Sequence, residues 1–177
     1  MSTDLEKKQI RTTFMEMFQQ RNYSSIEETE DMITAEEENE DKVCVFLTVK
    51  NKFNVEDFKS HMNQLAEMEI KHGIVVYNDI TAPTKKLISD TSEFKIELEE
   101  FQANSVLYNI TKHRLARPHV RLTDKKEILD LKRNYDLSKF PILRQNDAMA
   151  KFYGFKKGDI VKIIRKNGYV SYRVVRK

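Results

Sequence analysis

The chain has 177 residues, 40% of them hydrophobic and 33% charged, which suffices for one ordinary domain or two small ones with a packed core. The single cysteine, Cys44, excludes an internal disulfide framework, and its apolar surroundings are typical of a buried hydrophobic residue. No stretch approaches the roughly 18 apolar residues of a membrane span, and the first ten residues lack the apolar run of a signal peptide. We therefore expect a soluble, intracellular protein without a membrane partner.

The net charge of +3 conceals a division between the two halves of the chain. Residues 1–103 carry 12 basic and 22 acidic residues, whereas residues 104–177 carry 19 basic and 6 acidic residues. Such an asymmetry indicates that the halves face different partners. The basic half is suited equally to nucleic acid and to an acidic protein surface.

The first elements are a helix and an acidic segment. Ile10, Phe14, Met17 and Phe18 fall on one face of a helix predicted over residues 3–20. Residues 27–41 contain nine acidic residues and no basic one, so self-repulsion favours a solvated loop there.

The next segment has the order strand, helix, strand. Residues 43–49 form a β-branched and aromatic run that predicts a buried strand. Asn54 is a predicted N-cap for a helix whose apolar residues recur from Val55 to Leu65, and Gly73 is expected to end that helix. Residues 74–77 are a second strand. This order predicts a βαβ unit with parallel strands.

The rest of the first half contains a turn and one more strand. Residues 80–87 predict a turn that leads into a short helix with two exposed lysines, Lys85 and Lys86. Phe94, Ile96 and Leu98 alternate with charged residues and predict a half-exposed strand. A domain boundary is expected near residues 101–105, which gives domains over residues 1–103 and 104–177.

The second half has denser signals. A strand is predicted over residues 106–110, a helix opened by Asp124, an extended segment over residues 140–143 and a short helix over residues 148–153 between Asp147 and Gly154. Residues 160–165 and 169–175 flank Asn167-Gly168, a pair that predicts a β-hairpin whose two turn residues both accept positive φ.

The sequence offers little chemistry. Glu69 and Lys71, with Asp57 upstream, have the residue types of a magnesium-dependent nuclease, but this spacing is common by chance and usually marks a solvated helix face. The four histidines lack ligand spacing, there is no cysteine pair for zinc, and the four glycines cannot build a phosphate-binding loop. We expect no enzyme activity, no cofactor and no metal.

The final hairpin allows three interpretations. Tyr169 and Tyr172 lie among Lys166, Arg173 and Arg176, and aromatic rings beside cations can stack on the bases of a single strand. The more ordinary interpretation is that the tyrosines pack across the strands and the cations are exposed. The hairpin edge could instead pair with a strand of another chain.

Ordered motifs in the second half resemble a known family. Residues 109–115 and 118–123 match the pattern N-I-T-x-H-x-L…P-x-H-x-x-L, and residues 141–143, Asp147, Ala150, residues 153–165 and Tyr172-Arg173 continue the match. This pattern resembles the fifth common subunit of eukaryotic RNA polymerases and its shorter archaeal counterpart. Residues 73–77, 80–81 and 86–87 resemble the jaw domain, which the eukaryotic protein has and the archaeal one lacks.

The chain departs from this family at three places. Its jaw is abbreviated, with Pro83 one place later than in the pattern; Asp147 precedes alanine instead of proline; and the last hairpin closes directly through Asn167-Gly168. These departures are consistent with a compact, divergent member, such as one encoded by a large cytoplasmic DNA virus.

The resemblance implies a two-domain fold, with a small α/β jaw containing the βαβ unit and a mixed α/β assembly module that ends in the hairpin. It implies a non-catalytic subunit of a DNA-dependent RNA polymerase that docks on the largest subunit, beside neighbouring small subunits, through its hairpin and the strand near residues 105–111. The expected interface residues, matched to the family motifs, are Asn109, His113, Pro118, His119, Pro141, Lys162, Arg165, Tyr172 and Arg173.

The resemblance also places the jaw beside downstream double-stranded DNA. The expected DNA-proximal residues are Thr81, Pro83, Thr84, Lys85 and Lys86, which would contact phosphates without reading sequence. The location would be the nucleus for a cellular protein, and the host cytoplasm and virion for a viral one. The alternative function is a free-standing, basic nucleic-acid-binding module.

Overall fold

The computed structural model describes residues 4–37, 39, 41–90 and 96–177, without the side chains of residues 89 and 90. The chain divides into two compact units, Met1–Asn109 and Ile110–Lys177. Both units combine helices with a mixed β-sheet, which agrees with the expected mixed α/β character. The boundary between the units follows Asn109, a few residues after the expected boundary near residues 101–105.

The N-terminal unit is built on a five-stranded sheet of order β1-β2-β3-β4-β5, in which β1 to β3 are antiparallel and β3 to β5 are parallel. A 3₁₀ turn, Ala103–Val106, follows the sheet. The elements are α1 (Asp4–Gln20), β1 (Ser24–Glu28), β2 (Met32–Glu36), β3 (Lys42–Phe53), α2 (Val55–Glu67), β4 (His72–Ile80), α3 (Ala82–Asp90) and β5 (Glu97–Gln102).

Helix α1 forms where the apolar periodicity predicted it. The apolar residues Ile10, Phe14, Met17 and Phe18 on one side of the helix are buried, and the ring of Phe14 meets that of Phe101 edge to face at 5.7 Å. Burying each such side chain contributes about 1.5–3 kcal/mol, so this face attaches α1 to the unit.

The prediction of a loop for much of residues 27–41 is wrong for residues 27–28 and 32–36, because β1 and β2 form an antiparallel hairpin there. Ile33 and Ala35 alternate with half-buried residues and are themselves buried, so the sheet gains one apolar side despite the acidic charge. Arg11 offsets part of that charge: it pairs with Glu28 and donates to the carbonyl oxygens of Thr29 and Glu30 at 3.0 and 2.6 Å.

The predicted βαβ unit is confirmed. Strands β3 and β4 pair in parallel, and α2 connects them. Asn54 caps α2, because its side-chain oxygen accepts from the backbone N–H groups of Glu56 and Asp57 at 2.8 and 3.0 Å. The Asp57 carboxylate accepts from the N–H of Asn54 in return, which completes a capping box.

The expectation that Gly73 ends this helix is wrong. Helix α2 ends at Glu67, and the chain turns at Glu69, whose φ is 57°. Gly73 lies within β4, where a Cβ atom would stand 2.7 Å from Leu65 and 2.9 Å from Leu98. The glycine therefore allows α2 to pack closely on the sheet.

The strand predicted from Phe94, Ile96 and Leu98 corresponds to β5, which begins at Glu97 and pairs in parallel with β4. Leu98 and Ile96 are partly buried against the core of the unit, as the alternation predicted. Phe94 lies outside the described residues.

The C-terminal unit has a four-stranded sheet of order β6-β8-β9-β7. Short 3₁₀ turns cover Ile110–Lys112 and Leu137–Lys139. The labelled elements are β6 (His119–Arg121), α4 (Lys125–Asn134), β7 (Ile142–Arg144), α5 (Ala148–Phe152), β8 (Ile160–Ile164) and β9 (Val170–Arg176).

The predicted strand over residues 106–110 is absent from the described structure, which has 3₁₀ turns on either side of residues 107–109. The Ser105 hydroxyl donates to the carbonyl oxygen of Gln102 at 2.7 Å, a local bond that favours a turn. The docking strand expected near residues 105–111 is therefore wrong as well.

The predicted C-terminal hairpin is confirmed, but its turn differs from the expectation. The N–H of Gly168 donates to the carbonyl oxygen of Arg165 at 2.9 Å, and the N–H of Arg165 donates to that of Tyr169 at 2.8 Å. Of the Asn167-Gly168 pair, only Gly168 has a positive φ, 77°. The connection is thus a three-residue loop closed by a glycine bulge.

The hairpin does not provide the outer edge of the sheet. The extended segment after Phe140 forms β7, which pairs in parallel with the second half of β9, from Val174 to Arg176. Strand β9 therefore lies between β8 and β7, and the outer strands are β6 and β7. The sequence predicted β7, β8 and β9 but not β6, and it contained no signal for this long-range pairing.

His61 is buried in the N-terminal unit among aromatic rings. Its ring stacks on Phe46 and Phe53, with centroids 4.1 and 5.4 Å away, and its Nδ1 atom has no hydrogen-bond partner among the described residues. Burial lowers the pKa of His61 to about 4. The neutral ring is therefore the form that the folded state requires.

We expect acid to destabilise this unit through His61. Because the pKa lies near 6.5 in the unfolded chain and near 4 in the folded one, stability is lost as the pH falls from about 6.5 towards 4. The variant His61→Phe should lose about 2 kcal/mol less than the parent between pH 7.5 and 4.5. Urea unfolding of both proteins at the two pH values measures this difference; equal losses would contradict the assignment.

Candidate functional site

The strand register of the C-terminal sheet defines two faces that are covered to different extents. On one face, Val161, Ile163 and Val175 pack against Ala150 and Phe155, so α5 and the residues after it bury that side. On the other face, Ile160 and Val174 pack with Leu122 beneath Leu131 of α4. Helix α4 covers only this end of the second face.

The remainder of the second face is only partly covered, and its side chains are half-buried or exposed. Cross-strand pairing arranges its side chains in two further rows, one of Val120, Lys162 and Tyr172 and one of Pro118, Ile164 and Val170. Val120 is 49% exposed and Ile164 is 38% exposed. We call these six residues the open face.

Glu127 connects α4 to the middle row of the open face. Its carboxylate accepts from the Tyr172 hydroxyl at 2.7 Å and from the Lys162 ammonium at 3.2 Å. The hydrogen bond from Tyr172 lowers the pKa of Glu127, and the same bond raises the pKa of Tyr172 to about 12. Lys162 and Tyr172 are therefore held in place rather than left mobile.

The expected interface residues divide among several places. Pro118, Lys162 and Tyr172 lie together on the open face. His119 and Arg173 are each next in sequence to a residue of the open face, so their side chains point to the opposite face of the sheet. Arg165 is exposed at the start of the hairpin turn. The structure thus brings three of the nine side chains to one surface.

The other three expected interface residues lie outside both faces. His113 is exposed in a turn, and its Nδ1 atom accepts from the N–H of Leu115 at 3.2 Å. Pro141 is exposed, with its carbonyl oxygen bonded to the N–H of Val174 at 3.1 Å. Asn109 belongs to the N-terminal unit, where it is buried and donates to Glu16 at 2.8 Å. Asn109 is therefore a structural residue rather than a surface one.

Several cations of the basic unit serve its own structure. Arg121 donates to the carbonyl oxygen of Gly154 at 2.8 Å and pairs with Asp159 at 2.9 Å, and its guanidinium lies 5.7 Å from the centre of the Phe155 ring. Arg176 donates to the carbonyl oxygens of Leu137 and Ser138. The sequence could not distinguish such internal cations from those available to a partner.

The expected DNA-proximal residues form the start of α3. The hydroxyl groups of Thr81 and Thr84 bond to each other at 2.7 Å, and the N–H of Lys85 donates to the carbonyl oxygen of Thr81 at 3.0 Å. Pro83 is exposed in the first turn, where its missing N–H costs nothing. Thr84 is completely buried, so it cannot contact a ligand, whereas Lys85 and Lys86 are exposed.

An ionic network that the sequence did not reveal lies in the N-terminal unit. Arg21 donates to both oxygens of Glu99 at 2.7 and 2.8 Å, and the two ring nitrogens of His72 bond to Glu37 and Glu99 at 2.6 and 2.9 Å. Burial alone would raise the pKa of Glu99, but Arg21 and His72 hold it far below its usual range. Burial alone would lower the pKa of His72, but its two carboxylate partners raise it to about 9.

Among the described residues, one group that shares His72 and Glu99 with this network has the donor types of a metal site. Ligand atoms of His72, Glu97 and Glu99 lie within 4.8 Å of one another, because parallel pairing places His72 opposite Glu97. However, Arg21 occupies both oxygens of Glu99, and a protonated His72 offers no lone pair to a metal. The cluster is thus an ion-pair network, with the guanidinium and the imidazolium in the place of a cation.

The nuclease alternative does not fit the fold. Asp57 lies in the first turn of α2 and pairs with Lys50, whereas Glu69 follows the other end of the same helix. Twelve residues of helix separate two such positions by about 18 Å, which is too far for one metal ion. Burial also raises the pKa of the Cys44 thiol to about 12, as befits an unreactive core residue.

No helix among the described residues is both long enough and apolar enough to span a membrane.

Both halves of the chain are similar to known proteins. Residues 108–175 match the family described as RNA polymerase Rpb5, C-terminal domain. The chain is 29% identical over 177 residues to "DNA-directed RNA polymerases I, II, and III subunit rpabc1" of Dictyostelium discoideum, with 96% of this chain and 89% of the relative aligned. It is 33% identical over 142 residues to the subunits named RPABC1 of Caenorhabditis briggsae and Caenorhabditis elegans, with 76% of this chain and 66% of each relative aligned.

The chain belongs to the Rpb5 family of RNA polymerase subunits. These comparisons confirm the family that the ordered C-terminal motifs predicted. They also confirm the prediction that the chain is an accessory, non-catalytic subunit of an RNA polymerase. The Dictyostelium relative aligns over nearly the whole chain, so the likeness extends into the N-terminal unit. The three relatives come from cellular organisms, and the viral origin stays a prediction.

We expect the ionic network to be essential for the stability of the N-terminal unit. Replacing Glu99 with Gln leaves the Arg21 guanidinium, whose side chain is 3% exposed, without a counter-charge. The variant should lose at least about 3 kcal/mol of unfolding free energy, measured by urea unfolding at pH 7.

The matched control for this variant is Glu97→Gln. Glu97 lies two residues away on the same strand but is exposed, so its replacement should cost less than about 1 kcal/mol. A loss from Glu97→Gln equal to that from Glu99→Gln would contradict the assignment of the network to Glu99.

Proposed function

We propose that this subunit docks on the largest subunit of a DNA-directed RNA polymerase through the open face of its C-terminal unit. Its N-terminal unit then places the first turn of α3 beside downstream DNA during transcription. The functional domains would cover residues 1–103 and 104–177. In a cell, the protein would act in the nucleus with the polymerase.

The observation that carries the docking proposal is the sheet face that α4 leaves uncovered. Val120, Ile164 and Val170 form an apolar surface at the centre of a strongly charged unit. A contiguous apolar surface with a charged rim is characteristic of a protein interface. Lys162 and Tyr172, both fixed by Glu127, lie beside this surface and provide directed polar contacts.

Charge supports a protein partner with an acidic surface. The C-terminal half carries 19 basic and 6 acidic residues, so a partner of opposite charge would associate faster and in a preferred orientation. The exposed apolar side chains of the open face favour protein over nucleic acid, because a phosphate backbone has no complementary apolar surface. The neighbouring small subunits would contact the periphery of the same unit.

Two lysines support the DNA-proximal proposal. Lys85 and Lys86 are exposed near the N-terminus of α3, where the positive end of the helix dipole also favours a phosphate group. The remainder of the N-terminal half is acidic, with 22 acidic and 12 basic residues in residues 1–103. Contact with DNA would therefore be confined to this turn, independent of sequence and weakened by salt.

The docking proposal predicts the effect of a charge on the open face. Ile164→Asp places a carboxylate within the proposed interface, where desolvating it without a partner is costly. Binding of the variant to the co-expressed largest subunit should weaken at least tenfold, measured by affinity purification in 0.3 M salt and by titration. Leu129→Asp, on the 53% exposed Leu129 of α4, is the matched control and should bind normally.

The result for the parent protein separates the candidate functions. Stoichiometric recovery with the largest subunit supports the polymerase assignment. Recovery of the parent with nucleic acid alone, at physiological salt, would instead favour the free-standing nucleic-acid-binding module. Equal binding by Ile164→Asp and the parent would show that docking uses another surface.

The DNA-proximal proposal predicts a loss of non-specific contacts. In the assembled polymerase, the double variant Lys85→Ala, Lys86→Ala should reduce the slope of log affinity against log salt for downstream duplex DNA by about 2. The loss should be the same for unrelated sequences. The variant Lys59→Ala, on the exposed side of α2, is the control and should leave the slope unchanged.

A further inference from the structure

The two outer strands of the C-terminal sheet differ in how their free edges are occupied. On β7, the carbonyl oxygen of Ile142 accepts from the Arg173 guanidinium at 3.4 Å, and that of Arg144 accepts from the N–H of Asp147 at 2.9 Å. Ladder alternation directs these two carbonyl groups away from β9. The outward carbonyls of β7 are thus bonded within the unit itself.

The edge of β6 is unoccupied. The carbonyl oxygen of Pro118 accepts from Ile164, and the N–H of Leu122 donates to Ile160, so alternate residues of this segment bond to β8. The main-chain groups of His119 and Arg121 between them point away from β8. Within the described part of the chain, these outward N–H and C=O groups have no hydrogen-bond partner.

We propose that β6 accepts an extended acidic segment of the largest polymerase subunit as an added strand. This inference rests on the proposed function and specifies how docking occurs. An added antiparallel strand can form main-chain hydrogen bonds with both the N–H and the C=O groups of His119 and Arg121. Such bonds fix the register of the partner, while the side chains beside the strand select its sequence.

The charge around β6 identifies the chemistry of the added segment. Residues 110–121 contain Lys112, Arg114, Arg117 and Arg121 and no acidic residue. Arg117 donates to the backbone carbonyl oxygens of Arg114 and Ala116, and these neutral acceptors do not compensate its positive charge. Arg121 pairs with the carboxylate of Asp159, which belongs to the turn before β8. A partner strand with carboxylates complements this basic segment.

The alternation of side chains on β6 divides the partner segment into two sets. Val120 lies on the open face beside Ile164, so the partner residue opposite Val120 should be apolar. His119 and Arg121 alternate to the other face, and Arg121 already pairs with Asp159, so the partner residues opposite them should be polar. The added strand would thereby extend the open face by one row, and both surfaces would belong to one interface.

The test removes one outward main-chain donor of β6, and a second variant controls for loss of the hydrogen bond between His119 Nδ1 and the carbonyl oxygen of Arg117 at 2.7 Å. His119→Pro deletes the outward N–H, and proline is tolerated on an edge strand whose N–H faces solvent. His119→Ala deletes the imidazole and keeps the N–H. Arg144→Pro deletes an outward N–H on β7 and controls for the effect of proline on an edge. Circular dichroism checks that each variant is folded.

The probe is the co-expressed largest subunit. His119→Pro should bind at least tenfold more weakly than the parent, whereas His119→Ala and Arg144→Pro should bind within threefold of it. Hydrogen exchange of the parent should slow at the amides of His119 and Arg121 on binding. If His119→Pro is unfolded, this exchange measurement decides the question.

The outcomes separate the two proposals. Unchanged exchange at His119 and Arg121 in a complex that nevertheless forms would overturn strand addition and leave the docking proposal standing. Failure of the parent to bind the largest subunit would overturn both proposals. Slowed exchange produced by a 20-base-pair DNA duplex, with none produced by the largest subunit, would assign this edge to nucleic acid and also overturn the inference.

Discussion

The position of β9 between β8 and β7 is the constraint on which the C-terminal unit depends. Because successive side chains of a strand point to opposite faces, Val174 and Val175 enter two different cores. One core is closed by α5 and the other by α4. A strand buried on both faces must have helices on both sides, and the ten residues of α4 span only about 15 Å. The open face is the part of the sheet that this short helix leaves uncovered, and α4 contacts it only through Glu127, which bonds to Lys162 and Tyr172.

A different constraint applies to the N-terminal unit, because acidic charge accumulates on its folded sheet. Residues 24–36 fold as a hairpin because Ile33 and Ala35 gain burial and Arg11 bonds along the turn. Deeper in the unit, Arg21 and a protonated His72 compensate Glu99 and Glu37. Ion pairs of this kind offset the desolvation of their members rather than adding much stability, so loss of one partner is costly.

The parts of the fold that the sequence predicted are those determined by local signals. Apolar periodicity predicted α1, the Asn54 cap predicted the start of α2, and Asn167-Gly168 predicted the hairpin. The predictions that failed concern structure that depends on residues distant in the sequence. Whether residues 27–41 form strands depends on the neighbouring β3, and the strand partner of β7 lies about 30 residues later in the chain. The same limit applies to the site, since the motifs included Pro118, Lys162 and Tyr172 but could not separate them from the buried Asn109.

The basic residues of the C-terminal unit include some that bond within the unit and therefore do not indicate a partner. Arg121 and Arg176 bond to carbonyl oxygens or a carboxylate of their own unit, and Lys162 bonds to Glu127. These cations fix the sheet and α4 rather than remain available to phosphates. A uniform basic surface for nucleic acid would have exposed cations across both faces of the sheet. Here the open face is instead largely apolar, with Lys162 and Tyr172 bonded to Glu127, and this arrangement favours a protein partner of defined shape.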